Sequence, residues 1–160
     1  MEASKRPATK DDVEFARRAH HLAYREVVVR QFGEWDEGRQ DTFFDTGWTS
    51  AQHEILLCDG APCGYVSVDE FPGYTHVREL VIHPEYQRRG IGTAFLRQVV
   101  QQAQARHVPV RLGVLRENRA VEFYRKLGFK EFDRTDTHIL MERNAGPETT
   151  GSGLRPAREN

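Results

Sequence analysis

The feature that most constrains this chain is the run Gln87-Arg88-Arg89-Gly90-Ile91-Gly92-Thr93-Ala94, set between a strand-like run (Val77 to Ile82) and a helix-like run (Thr93 to Arg106). A basic, glycine-containing turn that opens a helix leaves several backbone N–H groups without helical partners. It also sets the positive end of the helix dipole beside them. Such a turn binds anions, and diphosphate is the obvious one. Glycine matters there because a side chain would hold the phosphates away from the backbone. The first expectation is therefore a phosphate-bearing ligand at this turn.

Around that turn the pattern reads as alternating strands and helices. Ser4 to Thr9 is a short first strand. Asp11 or Asp12 caps a helix whose apolar face carries Phe15, Ala19, Leu22 and Ala23 and which stops near Phe32-Gly33. Asp36 starts a second helix with Phe43, Phe44 and Trp48, ended or bent at Thr46-Gly47. Strands Glu54 to Cys58 and Cys63 to Asp69 flank an Asp59-Gly60 hairpin signal. Thr75 to Ile82 is a longer strand, and the helix after the glycine turn puts Ile91, Phe95, Val99 and Ala103 on one face. Pro109 to Leu115 is a strand, Glu117 to Leu127 a short helix closed by Gly128, and Phe129 to Asp133 with Thr137 to Met141 a final strand pair. The order β-α-α-β-β-β-α-β-α-β-β predicts an α/β domain over residues 1–143: one mixed, mostly antiparallel sheet with helices on both faces. From Asn144 to Asn160 the sequence is rich in Gly, Pro, Thr and Ser and reads as a disordered tail.

Composition narrows the function classes. A chain of 160 residues can bury one sizeable core, and 38% apolar with 29% charged residues suits a soluble protein. A net charge of −1 argues against a nucleic-acid binder. No apolar run approaches the ~20 residues that span a membrane, and the first residues lack a signal-peptide core, so a cytoplasmic protein is expected. Cys58, Cys63 and His53 offer too few ligands at the wrong spacing for zinc and read as ordinary strand residues. His20 and His21 are adjacent on a helix, so their rings are expected to diverge, and no metal site is expected.

Two motifs carry a family resemblance. Glu79-Leu80-Val81-Ile82-His83-Pro84-Glu85-Tyr86-Gln87-Arg88-Arg89-Gly90-Ile91-Gly92 resembles the central motif of the GNAT (Gcn5-related) N-acetyltransferases. Asn118-Arg119-Ala120-Val121-Glu122-Phe123-Tyr124-Arg125-Lys126-Leu127-Gly128-Phe129 resembles the family's later helix. The two stand in the right order, separated by one helix and one strand. Arg6-Pro7-Ala8-Thr9 and Thr137-His138-Ile139-Leu140-Met141 extend the likeness to about residues 4–143.

The resemblance implies acetyl-CoA as acyl donor and a small-molecule or peptide amine as acceptor. It implies that the N–H groups of Arg88, Arg89, Gly90, Ile91, Gly92 and Thr93 hold the pyrophosphate. The backbone of Leu80, Val81 and Ile82 would pair with the pantetheine arm where this strand splays from the next. Asn118 would contact the cofactor, although an asparagine there also caps a helix. Tyr124 matches a tyrosine near the cofactor sulfur, able to protonate the departing thiolate.

A lysine-like amine, with a pKa of about 10.4, is only about a thousandth neutral near pH 7.4, so a base is useful. Gly113 stands where some members carry a glutamate. Glu79 is therefore the first candidate base and His76 the second, near neutrality by its ordinary pKa; an exposed strand charge is the plain alternative for Glu79. The acceptor site is expected from the first two helices and the hairpin after Asp69-Glu70, with Tyr24, Glu26, Phe32, Glu34, Trp35 and Gln40 as candidates, while Phe43, Phe44 and Trp48 read as helix packing. The rival to an enzyme is a non-catalytic acyl-CoA sensor on the same fold. Many members of the family form a homodimer, and no residue of this sequence decides that point.

Overall fold

The structure, a computed structural model, describes residues 2–146, so the expected tail lies outside the described residues beyond Gly146. The strands are β1 (Ala3–Pro7), β2 (Glu54–Cys58), β3 (Ala61–Glu70), β4 (Thr75–Ile82), β5 (Val110–Leu115), β6 (Lys130–Arg134) and β7 (His138–Arg143). The helices are α1 (Val13–Phe32), α2 (Glu37–Ser50), α3 (Ile91–Ala105) and α4 (Ala120–Lys126). The strands form one seven-stranded sheet in the order β1-β2-β3-β4-β5-β7-β6, antiparallel except for the parallel pair β4–β5. Fold class and element order agree with the sequence reading.

The core lies in two layers. Ile91, Phe95, Leu96, Val99 and Ala103 recur at helical spacing along α3 and bury one stripe against Val66, Val77, Leu112 and Val114 of the sheet. On the opposite face, Ala16 and Ala19 of α1 and Phe44 of α2 cover Ile55, Tyr65 and Val81. The small alanines let α1 lie close to the sheet. Among the described residues no helix is long and apolar enough to cross a membrane.

Helix ends follow local chemistry. Thr9 and Asp12 form a capping box around a short 3-10 turn (Lys10–Asp12), so the expected cap at Asp11 or Asp12 moves back to Thr9 and α1 starts at Val13. Asp12 also holds Arg6 through two hydrogen bonds of 2.9 and 3.0 Å. Gly33, at φ +91°, closes α1 as expected. Asp36 caps α2 by accepting from Arg39 N–H at 2.9 Å. That helix does not end at Thr46-Gly47 but runs to Ser50. Trp48 beyond the glycine stacks on His53, with ring centroids 4.4 Å apart. A mid-helix glycine costs only about 1 kcal/mol, which such packing offsets.

One irregularity positions everything that follows. Ser67 pairs with Glu79 but Val68 pairs with Val77, so Arg78 is an extra, bulged residue in β4. The parallel ladder to β5 stops at the same point: Thr75, His76 and Val77 face Val110, Arg111 and Leu112, and no described pair follows. Past the bulge β4 and β5 diverge, leaving the β5-facing edge of residues 79–82 without a strand partner.

Candidate active site

The divergence opens a cleft of about 1030 Å³ between β4 and β5, floored by α3 and α4 and walled by α1 and α2. It is at the upper end for small-molecule sites, with room for a large ligand and a smaller one together. Leu80, Val81 and Ile82 line it from β4, and Leu112 to Leu115 face them from β5.

The glycine turn stands at the same cleft. Arg88 (φ +66°) and Gly90 (φ +82°) both take left-handed backbone, which turns the chain sharply into α3. No side chain caps this helix. Its first backbone bond runs from Ala94 N–H to Gly90 C=O at 3.0 Å, and among the described residues the N–H groups of residues 88–93 have no protein acceptor. Arg88, Gly90, Ile91, Gly92 and Thr93 line the cleft. Arg89 does not: its guanidinium lies 5.1 Å from the Tyr86 ring centroid. The turn therefore offers a cluster of unpaired donors at a helix N-terminus, with one arginine on the cleft rather than two.

Asn118 lines the cleft and also organises the start of α4, accepting from Ala120 N–H at 2.8 Å through Oδ1. Both sequence readings of this residue can hold together, because that bond leaves its amide N–H groups unused.

Two ionisable groups line the cleft beyond the turn. Tyr124, one α4 turn on from Ala120, lines the cleft, and burial pushes its hydroxyl up to about 12. Glu79 enters from β4. Burial is the main cause that raises its carboxyl to about 7; a hydrogen bond from Tyr65 Oη at 3.3 Å and the charge of Arg78 partly oppose it. His53 lies behind, its Nε2 3.9 Å from Glu79 Oε1, and burial lowers its pKa, which disfavours an imidazolium partner. Tyr24 of α1 faces the same spot: burial, then the charge of Glu79, raise its pKa. Glu79 is thus a half-buried carboxyl among tyrosines, not an exposed strand charge. His76 sits before the bulge, paired with Asp69 and Arg111 across the sheet, and does not line the cleft.

The α1–α2 wall supplies Tyr24, Glu26 and Gln40, and also Phe32 and Phe43, which are 51% and 58% exposed at the cleft. Glu34 and Trp35 are elsewhere: Glu34 is exposed, and Trp35 donates Nε1–H to Glu37 at 2.7 Å under the Arg25 guanidinium. Phe44 and Trp48 pack as expected, but Phe43 does not; its neighbouring position on α2 turns it toward the cleft. His20 was not among the candidates and lines the cleft as well. Its ring does not diverge from that of His21: the two Nδ1 atoms are 2.9 Å apart. The Nδ1 atoms lie nearest the backbone, where adjacent helical residues can still meet. His21, Glu37 and Asp41 bring three potential ligand atoms within 4.8 Å of one another, outside the cleft lining. Cys58 and Cys63 are free and buried, and burial pushes the Cys63 thiol up to about 11.

Comparison with known proteins gives a consistent picture. A family model described as an acetyltransferase (GNAT) domain matches residues 50–131. The chain is 30% identical over 138 residues to an uncharacterized N-acetyltransferase of Methanocaldococcus jannaschii, an alignment covering 79% of this chain and 60% of that protein. It thus spans less than two thirds of that relative's length. It is 27% identical over 135 residues to the L-amino acid N-acyltransferase MnaT of Escherichia coli, covering 73% of this chain and 78% of that one. Among solved structures, the PaiA N-acetyltransferase of Thermoplasma acidophilum in complex with coenzyme A superimposes with a TM-score of 0.74 at 19% identity, over 90% of this chain and 99% of that one. At that identity the likeness is one of fold.

Proposed function

Because this chain belongs to the GNAT acetyltransferase family, we propose that it transfers an acetyl group from acetyl-CoA to a primary amine by direct attack in a ternary complex. The observation that carries the reading is that one cleft joins the unpaired N–H groups of the α3 turn to Glu79 and Tyr124. The turn would hold the diphosphate. The unpaired edge of β4 would hydrogen-bond the amide-bearing arm and lead the thioester toward Tyr124.

Each residue then has a definable task. Glu79, near half ionised at neutral pH, takes a proton from the incoming ammonium or from the nitrogen as it attacks. The C–N bond forms, and the carbonyl oxygen gains charge that a β4 backbone N–H can stabilise. As the C–S bond breaks, Tyr124, kept protonated by its high pKa, gives its proton to the sulfur. Holding both reactants in one cleft supplies much of the acceleration. No covalent intermediate is needed, so the buried cysteines take no part. His76, away from the cleft, has no task in this scheme.

The test is release of free CoA from acetyl-CoA across amino acids, polyamines, aryl amines and peptides. Turnover on one class supports the proposal. Tight acetyl-CoA binding with no CoA release on any amine would instead make the chain a binding module.

A further inference from the structure

The α1–α2 wall holds two polar side chains that the proposed chemistry does not use. His20 and Gln40 are each 8% exposed, and both line the cleft. Among the described residues the Gln40 carboxamide has no hydrogen-bond partner, and His20 uses only Nδ1. Leaving buried polar groups unpaired is costly, so a cleft wall carrying two of them is built for something that pairs them.

A hydrogen-bond chain fixes what His20 offers. Asp41, on the exposed side of α2, can only accept, and His21 Nε2 lies 2.7 Å from its Oδ1. His21 therefore carries its proton on Nε2. With both rings neutral, its Nδ1 is a lone pair and must accept from His20 Nδ1–H, 2.9 Å away. Burial lowers the His20 pKa to about 4, in keeping with a neutral ring. His20 Nε2 is then an unprotonated acceptor, with the Gln40 amide, both donor and acceptor, on the same wall. The charged groups near this chain are Glu37, 3.7 Å from His21 Nε2, and Arg17, 4.0 Å from Asp41, while the His20 ring meets Tyr24 and Phe44.

Resting on the transferase reading, we propose that His20 and Gln40 form a subsite for a second polar group of the acceptor, a hydroxyl or N–H one helical turn away from the amine. His20 lies four residues before Tyr24, which faces Glu79, and one turn is about 5.4 Å. A hydroxyl suits both partners: it donates to His20 Nε2 and accepts from the Gln40 amide. The acceptor class is thus an amine bearing a hydrogen-bonding atom about four bonds from its nitrogen. Asp41 and His21 are positioning residues, which hold His20 in the acceptor tautomer.

The probes are 3-amino-1-propanol and n-butylamine, isosteres that differ in a hydroxyl or methyl end. With coenzyme A present at about pH 8, where imidazoles are neutral, 15N spectra of the full chain should show His20 with Nδ1–H and a bare Nε2. The Nε2 resonance should move with aminopropanol and not with butylamine. In the CoA-release assay aminopropanol should be favoured roughly tenfold in kcat/KM, the worth of one neutral hydrogen bond in a dry site. His20→Asn, which keeps the Nδ1-like donor but withdraws the acceptor, should abolish that preference with the acetyl-CoA KM unchanged. His20→Gln, which reaches the Nε2 position, should restore part of it. A proton on His20 Nε2, equal responses to the two amines, or a preference that survives His20→Asn each overturns the subsite. If neither amine releases CoA, the transferase reading suffers, and the 15N response alone still decides whether the subsite exists.

Discussion

Glu79→Gln should stabilise the protein at alkaline pH while removing its activity. Glu79 takes a proton at about 7 in the fold against its ordinary 4.5, because burial disfavours the anion. Between those two values the folded chain binds more protons than the unfolded one, so stability falls as pH rises. The penalty is about 1 kcal/mol at pH 5 and levels off at about 3 kcal/mol by pH 8, since each tenfold difference in proton affinity between the two states is worth about 1.36 kcal/mol. Glutamine keeps an acceptor for the Tyr65 hydroxyl, 3.3 Å away in the wild type, and carries no charge. For a chain of this size about 3 kcal/mol corresponds to a Tm gain of roughly 8 °C at pH 8, against about 2 °C at pH 5.

The same group should shape the rate. If Glu79 is the base, wild-type kcat/KM rises through an apparent pKa of about 7, and the rising limb disappears in Glu79→Gln with a loss of about 10²–10⁴. Scanning fluorimetry across pH and CoA-release kinetics on the same samples read both effects. A Tm difference that is equal at the two pH values would refute the buried-carboxyl argument. A rising limb that survives the substitution would remove Glu79 as base.

Tyr124→Phe should lower kcat by about 10²-fold or more with acetyl-CoA affinity unchanged by calorimetry, since only the proton on sulfur is lost. Gly90→Ala should weaken acetyl-CoA binding and cost about 1 kcal/mol in thermal unfolding, because φ +82° strains any side chain although nothing crowds it. Gly64→Ala would set a Cβ 2.2 Å from the Val81 carbonyl oxygen, so β4 must shift; about 2 kcal/mol of stability and most turnover should go together. Cys58→Ser with Cys63→Ser should retain kcat per folded molecule, and loss of all turnover in well-folded protein would overturn the direct-attack scheme.

What the sequence showed and what it hid divide along a physical line. Local signals were legible. Asp59 and Gly60 both adopt positive φ, as their hairpin requires, and β2 and β4 begin and end where alternation and turn residues put them. The uncapped helix start with its unpaired N–H groups was legible because the glycines and the helix start are contiguous. Side-chain destinations across elements were not. Trp35 and Glu34 share a stretch with cleft residues but point elsewhere, because Trp35 is drawn to Glu37 and Arg25. His20 meets His21 only because Asp41, twenty residues on from His21, fixes the second ring.

The bulge is the instructive case. In a regular strand Val77 and Glu79 would share a face, since residues two apart do. Val77 is buried beneath α3, so a regular β4 would drive Glu79 into that same apolar core. The extra residue Arg78 resets the alternation and turns Glu79 to the opposite face, beside Tyr65 and Tyr24, with Val81 following it. It also coincides with the end of the β4–β5 ladder, so one inserted residue both opens the cleft and swings the carboxyl toward it. The trace in the sequence is two adjacent charges, Arg78-Glu79, set between Val77 and the apolar run Leu80-Val81-Ile82. Deleting Arg78 should therefore remove the bulge without exchanging the faces: Val77 and Glu79 become neighbours on opposite sides of a regular strand. Thermal melts across pH should then keep the pH-dependent stability assigned to Glu79, while acetyl-CoA binding should fall if the bulge is what parts β4 from β5; loss of that pH dependence in folded protein would overturn the argument.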